Sequence, residues 1–178
     1  GSLVQTMTLS GGSQTAYAMR VFNGFVYVGG NFTQVDDGIG NTIYPHNVFK
    51  IDGSLNISLV QDGLGNEGFN DTCYCMATGT DYTNGSVSYG QPCIYFGGSF
   101  TQYGVVFGGI QTPYRVTGIT SSNQWLDQFC FNFAVQNGSV YAVNVGYNSS
   151  PTGGVQIVAV GGDFTQAQAS NCLLYTSP

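Results

Sequence analysis

The chain has 178 residues, the length of one ordinary domain. Three basic residues against nine acidic ones leave a net charge of −6, and charged residues of all kinds make up only 7 %. Three dispersed cations cannot neutralise a phosphate backbone, which excludes nucleic acid as a partner. No apolar run approaches the roughly 18 residues a spanning helix needs, which argues against membrane insertion. A chain that is 42 % hydrophobic and 14 % aromatic is not disordered.

Taken from the N-terminus, Gly1-Ser2-Leu3-Val4 matches Gly53-Ser54-Leu55 and the run after it. The match continues, with Tyr17 and Met19 falling onto Tyr74 and Met76 at a nearly constant offset. The chain is therefore expected to begin with the last strand of one repeat unit and to end just before such a strand. Residues 18–28 hold two β-rich runs around Asn23-Gly24, a strong hairpin signal. They lead into Gly29-Gly30-Asn31-Phe32-Thr33-Gln34, which returns as Gly97-Gly98-Ser99-Phe100-Thr101-Gln102 and as Gly161-Gly162-Asp163-Phe164-Thr165-Gln166. Three such copies are a repeat.

A strand is expected after the first copy over residues 48–54, and a fourth over 55–60. The second unit has a strand at 75–77, a loop containing Asn84-Gly85, then strands at 93–96, 114–121 and 124–129. In the third, residues 131–135 and 139–143 flank Asn137-Gly138 as a hairpin, an inserted loop runs through 151–154, and strands follow at 155–160 and 172–175. No helical periodicity competes. The expectation is all-β: one repeat domain of three propeller-like blades, each of about four antiparallel strands, in units 1–54, 55–122 and 123–178, with the terminal strand offset. The glycine pair permits a close backbone approach, and the Phe two residues on can fold back over the core.

This pattern resembles the delta-sixty type of β-propeller repeat and the kelch-like repeats of fungal cortical polarity-marker glycoproteins. In those, a strand ending Val-Gly-Gly-x-Phe-Thr is followed by a loop and a strand ending Asp-Gly-Ser-Leu. Residues 27–33 and 50–55 match closely. The second unit matches at 95–101 but has Thr120-Ser121-Ser122 where Asp-Gly-Ser is expected, and the third keeps only 160–165. The resemblance implies a propeller-type blade and no particular activity.

Six Asn-x-Ser/Thr triplets, at Asn31, Asn56, Asn70, Asn84, Asn137 and Asn148, exceed the roughly two that chance would give and are candidate glycan acceptors. Five cysteines, Cys73, Cys75, Cys93, Cys130 and Cys172, lack the spacing of a zinc site and are disulfide candidates, with the odd one expected to be free or to pair with another chain or with a further part of this one. The pairing expected is Cys75 with Cys93, across one hairpin. Cys73 and Cys75, placed on one strand face, are not expected to join each other. Sequons, cysteines and low charge together point to a secreted protein at an extracellular, cell-surface or virion-surface location.

Catalytic chemistry is not evident. His46 is the only histidine, follows Pro45 in a loop, and is too little for copper-oxidase chemistry. No two carboxylates are paired by spacing as a glycosidase requires. No cofactor is expected, with calcium the one candidate: Asp62, Asn66, Glu67 and Asp71 put four oxygen ligands in one loop, and residues 36–41 form a weaker second. The sequence thus suggests a non-enzymatic extracellular structural glycoprotein. It would be an assembly unit of a surface fibre, coat or matrix, self-associating or joined to adjoining repeats by strand complementation. The alternative is an adhesion module that binds a glycan or protein through its loops.

Overall fold

Asn23 and Gly24 take positive φ of 48° and 80°, which is the twist a two-residue hairpin needs. They close the first of a series of antiparallel pairings. In the computed structural model, residues 5–81, 90–104, 110–111, 115–126, 134–148, 155–168 and 174–176 are described. Among them every regular element is a strand. In chain order these are β1 (Thr8–Ser10), β2 (Thr15–Phe22), β3 (Phe25–Asn31), β4 (Gln34–Asp36), β5 (Thr42–Ile43), β6 (Val48–Ile51), β7 (Ile57–Leu59), β8 (Cys73–Thr80), β9 (Pro92–Gly98) and β10 (Gln102–Tyr103). They continue as β11 (Ile110–Gln111), β12 (Val116–Thr120), β13 (Ala134–Gln136), β14 (Val140–Asn148), β15 (Val155–Gly162), β16 (Gln166–Gln168) and β17 (Leu174–Thr176).

Three larger sheets follow the repeat. The first is four-stranded, β2-β3-β6-β7, and the second is β12-β9-β8. The expected fourth strand of the second unit is reduced, among the described residues, to one bridge between Ile119 and Trp125. The third sheet is β14-β15-β17, and β17 lies parallel to β15, where an antiparallel strand was expected. Three small sheets, β1-β4-β5, β10-β11 and β13-β16, accompany them, and none of the sheets closes on itself. Residues 1–4, on which the terminal strand offset rests, lie outside the described residues.

The small sheets correct one expectation. Asn137-Gly138 does not join two strands of one hairpin, because β13 pairs with β16 while β14 pairs with β15. The dipeptide instead carries the chain from a small sheet to a large one. Gly11-Gly12 makes the same step between β1 and β2, with Gly11 at φ 73°.

The core lies between the large sheets. One apolar cluster joins Tyr27 and Val48 of the first sheet to Met76, Ile94, Phe96 and Ile119 of the second, around Phe69, Phe100 and Trp125. The next joins Ala77, Tyr95 and Val116 of the second sheet to Val140, Val143, Val158 and Val160 of the third. A third cluster, Val28, Phe32, Val35 and Phe49, lies on the other face of the first sheet. It is roofed partly by Leu9 and Ile43 of the small sheet.

Candidate functional site: the unit junctions

Each Gly-Gly pair sits opposite a β-bulge. Ala16 faces Gly30 and Ala18 faces Gly29, so Tyr17 is the extra residue. In the second unit Cys73 and Cys75 flank Tyr74 across Gly98 and Gly97. In the third, Val140 and Ala142 flank Tyr141 across Gly162 and Gly161. A bulge leaves its extra residue unpaired and turns it outward. The three tyrosines consequently form one ladder across the units, with ring centroids 5.1 Å apart for Tyr17–Tyr74 and 5.0 Å for Tyr74–Tyr141.

The two glycines do different work. A Cβ on the second would lie 2.0 Å from the Thr15 carbonyl at Gly30, 2.0 Å from the Thr72 carbonyl at Gly98 and 1.9 Å from the Ser139 carbonyl at Gly162. The motif phenylalanine of each unit, Phe32, Phe100 or Phe164, folds back beside the same glycine and is buried. The first glycine receives the next unit. A Cβ at Gly29 would meet Met76 and Cys73, and one at Gly97 would meet Cys75 of its own sheet and Val140 of the third unit. The motif is therefore a packing device within each unit and a notch between units.

Polar side chains brace the first junction. Asn31 Nδ2 donates to Thr72 Oγ1 at 2.7 Å, and the Arg20 guanidinium donates to the Met76 carbonyl at 3.2 Å. Asn47, at φ 64° and buried, accepts from the Phe32 N–H at 3.1 Å and donates to the Phe69 carbonyl at 3.0 Å. The sequence reading missed Asn47. The signal available was an Asn in a loop two residues after Pro45, which is common to most turns.

The four calcium candidates are each engaged with neighbouring groups. Asp62 Oδ1 accepts the Leu64 and Asn66 N–H groups, and its Oδ2 accepts the Asn66 side-chain amide. Asp71 accepts from the N–H and hydroxyl of Thr72. Glu67 stands 3.9 Å from His46 Nε2; burial raises its carboxyl while the His46 charge opposes the rise. Among the described residues no three metal-capable His, Cys, Asp or Glu side chains converge. Asp62 and Asp71 are bonded within their own loop, and the Asn66 carbonyl takes the Trp125 indole N–H at 3.0 Å, which makes the loop a brace between units.

The same five-residue loop occurs at Asp37–Asn41, the weaker calcium candidate, and at Asp52–Asn56. In each the Asp Oδ1 accepts the N–H groups of residues i+2 and i+4, and Oδ2 accepts the Asn amide. At Asp37 burial pushes the carboxyl up, but the Asn41 amide and the Ile39, Asn41 and Gly40 N–H groups outweigh it and leave it below the ordinary value. At Asp52 the Asn56 amide and N–H lower it, and at Asp163 the Ser139 N–H does so first. Hydrogen bonds to the charged form favour that form. A carboxylate depressed in the folded state contributes stability above its unfolded value, and that contribution is lost as pH falls through the folded value. The urea midpoint is therefore expected to hold down to about pH 4 and to fall below it, with a shallower fall in Asp52→Asn. An acid limb identical in the two proteins would contradict the role given to this loop.

The cysteine expectations change as well. Cys73, Cys75 and Cys93 are free. Cys75 is opposite Gly97 and Cys93 opposite Gly79, four positions apart along the ladder or about 13 Å, beyond the roughly 7 Å a disulfide spans between Cα atoms. Nor do Cys73 and Cys75 share a face: the bulge at Tyr74 sends Cys73 into the first junction and Cys75 toward the second. Burial pushes Cys73 well above the ordinary thiol value, and pushes Cys75 and Cys93 up to about 12. The thiolate is the reactive form. Iodoacetamide at about pH 8 should thus leave these three unmodified in the native protein and label them in urea, as read by mass mapping. Stoichiometric native labelling at Cys73 would show the first junction open. Cys130 and Cys172 lie outside the described residues.

The sequons fall in different settings. Asn31 is engaged at the junction, its Oδ1 also accepting the Ser13 N–H at 2.8 Å. Asn70 accepts from the Thr101 and Gln102 N–H groups, and Asn56 belongs to the Asp52 loop. Asn137 is exposed at positive φ. Asn148 ends β14, and Asn84 lies outside the described residues.

No family model, curated protein or solved structure matches the chain.

Proposed function

We propose that the chain is a non-enzymatic structural module, a repeat unit of an extracellular fibre, coat or matrix that carries N-linked glycans. Each large sheet would be a propeller-type blade of that unit. One observation carries the proposal: the same glycine-notched junction is built twice between successive sheets, and the described residues at the corresponding positions of the first and third sheets, Met19 and Ala142 among them, are exposed. Few charges suit dense packing of such units, because self-repulsion is small. The tyrosine rings meet at interplanar angles of 64° and 56°, edge-on at the first contact and tilted at the second, and are engaged with one another from unit to unit. That favours assembly over glycan recognition.

The test is the native mass by light scattering over a concentration series, with and without reductant, on glycosylated material. A mass that climbs with concentration supports assembly, and sensitivity to reductant would assign a role to a cysteine outside the buried set. A monomer throughout would remove assembly as the function and turn attention to loop-binding ligands.

A further inference from the structure

We propose that two copies of this chain join head to tail, the first sheet of one packing on the third sheet of the other with Met19 seated over Gly161. This rests on the structural reading above and names its partner. At both internal junctions the later sheet offers the same positions to the earlier one. Cys73 and Met76 do so at the first junction, and Val140 and Val143 at the second; these four are at most 8 % exposed. The register makes Ala16 and Met19 their counterparts in the first sheet, since Met19 faces Val28 as Met76 faces Phe96 and Val143 faces Val160. Yet Ala16 is exposed and Met19 is 70 % exposed, as is its neighbour on that face, Val21.

The opposite end carries the complementary half. Gly161 is the counterpart of Gly29 and Gly97 by register, and no fourth sheet covers it among the described residues. Ala142, Asn144 and Gly146 around it are exposed, and a Cβ on Gly146 would meet nothing within 4 Å. Asn144 occupies the place of Arg20, which donates to the Met76 carbonyl at the first junction. Its amide Nδ2 can donate in the same way to the Met19 carbonyl of an incoming copy. The tyrosine ladder is half-exposed at both ends, 48 % at Tyr17 and 50 % at Tyr141, so stacking one copy on the next would continue it. Met19 and Val21 on one side meet Ala142, Gly146 and Gly161 on the other, with Asn144 as the polar group, and the interface continues the one already built twice within the chain. A heterologous contact of this kind propagates unless its rotation closes.

Sedimentation velocity on the full chain, Met19→Asp, Gly161→Val and their equimolar mixture tests the proposal. Both substitutions fall at strand positions on uncovered faces, and thermal melts verify that each variant folds. The wild type should self-associate, and each variant alone should do so at least tenfold more weakly. The mixture should form a 1:1 heterodimer that does not grow, because one partner keeps an intact Gly161 face and the other an intact Met19 face. A wild-type chain that associates while both variants associate equally well would overturn this junction and leave the structural reading standing. A wild-type chain that stays monomeric at every concentration would overturn both, and would assign the Met19 face to some other occupant.

Discussion

Gly98→Ala is expected to destabilise the protein by at least about 3 kcal/mol, the upper range for forcing an extra carbon into a packed interior. The added Cβ would sit 2.0 Å from the Thr72 carbonyl and 2.8 Å from the Phe100 ring. The ring could shift, but the carbonyl belongs to the residue just before β8 and accepts the Ser99 N–H at 3.1 Å, so it cannot retreat without breaking that bond. The natural comparison is Gly53→Ala, in the exposed Asp52 loop, where a Cβ meets nothing within 4 Å and φ is not positive. That change should fall within about 0.5 kcal/mol of neutral, or stabilise slightly by restricting the unfolded chain. Urea unfolding of the two variants separates a steric requirement from general intolerance of alanine in a glycine-rich chain. Equal stabilities would mean that the second glycine is not the constraint its geometry indicates.

The second large effect is at Phe69. This ring is fully buried and stacked on Phe100 at 4.2 Å and 12°. It also meets Phe96 and Trp125 edge-on at 5.3 and 5.7 Å. Phe69→Ala would leave a void among groups held by three separate segments, which limits collapse into it; a loss of about 3–5 kcal/mol is expected. Trp125 is the only tryptophan and touches the void directly, so its emission should shift to the red in the native state as water enters. Phe69→Leu should retain most of the stability and the blue emission. A near-neutral Phe69→Ala would indicate that the junction between the first two sheets contributes little to folding.

Much of the β architecture was legible because it rests on local chemistry. Asn23-Gly24 needs positive φ, and the motif glycines announce a close approach. Alternating apolar residues in 25–28 and 93–96 mark strands with one or both faces covered. What was not legible depends on partners distant in sequence. Asn137-Gly138 has the composition of a hairpin turn, but β13 is drawn away by β16, 30 residues further on, as Ala134–Gln136 pairs with Gln166–Gln168. Cys73 and Cys75 look like neighbours on one face because strand alternation assigns them so. The unpaired Tyr74 shifts that alternation by one and reverses the result. The acidic loops show the same limit. Asp62 and Asn66 have oxygen atoms spaced for a cation and equally for an Asx-type turn, and the hydrogen bonds of the turn are the ones the structure shows. The repeat aligns Met19 with Met76, but its exposure was not legible, since that shows only against the burial of Met76 and Val143 at the same register.

Successive units meet through one repeated face, and the proposed assembly has the chain present that face to a copy of itself. Photo-crosslinking tests it most directly, with Tyr17 replaced by p-benzoylphenylalanine and the adducts mapped by mass spectrometry. Within one molecule the probe should reach Tyr74, its ladder neighbour. Between molecules it should reach the strand around Tyr141, and the yield of that second adduct should rise with protein concentration. Adducts confined to the Tyr74 strand at every concentration would contradict the claim.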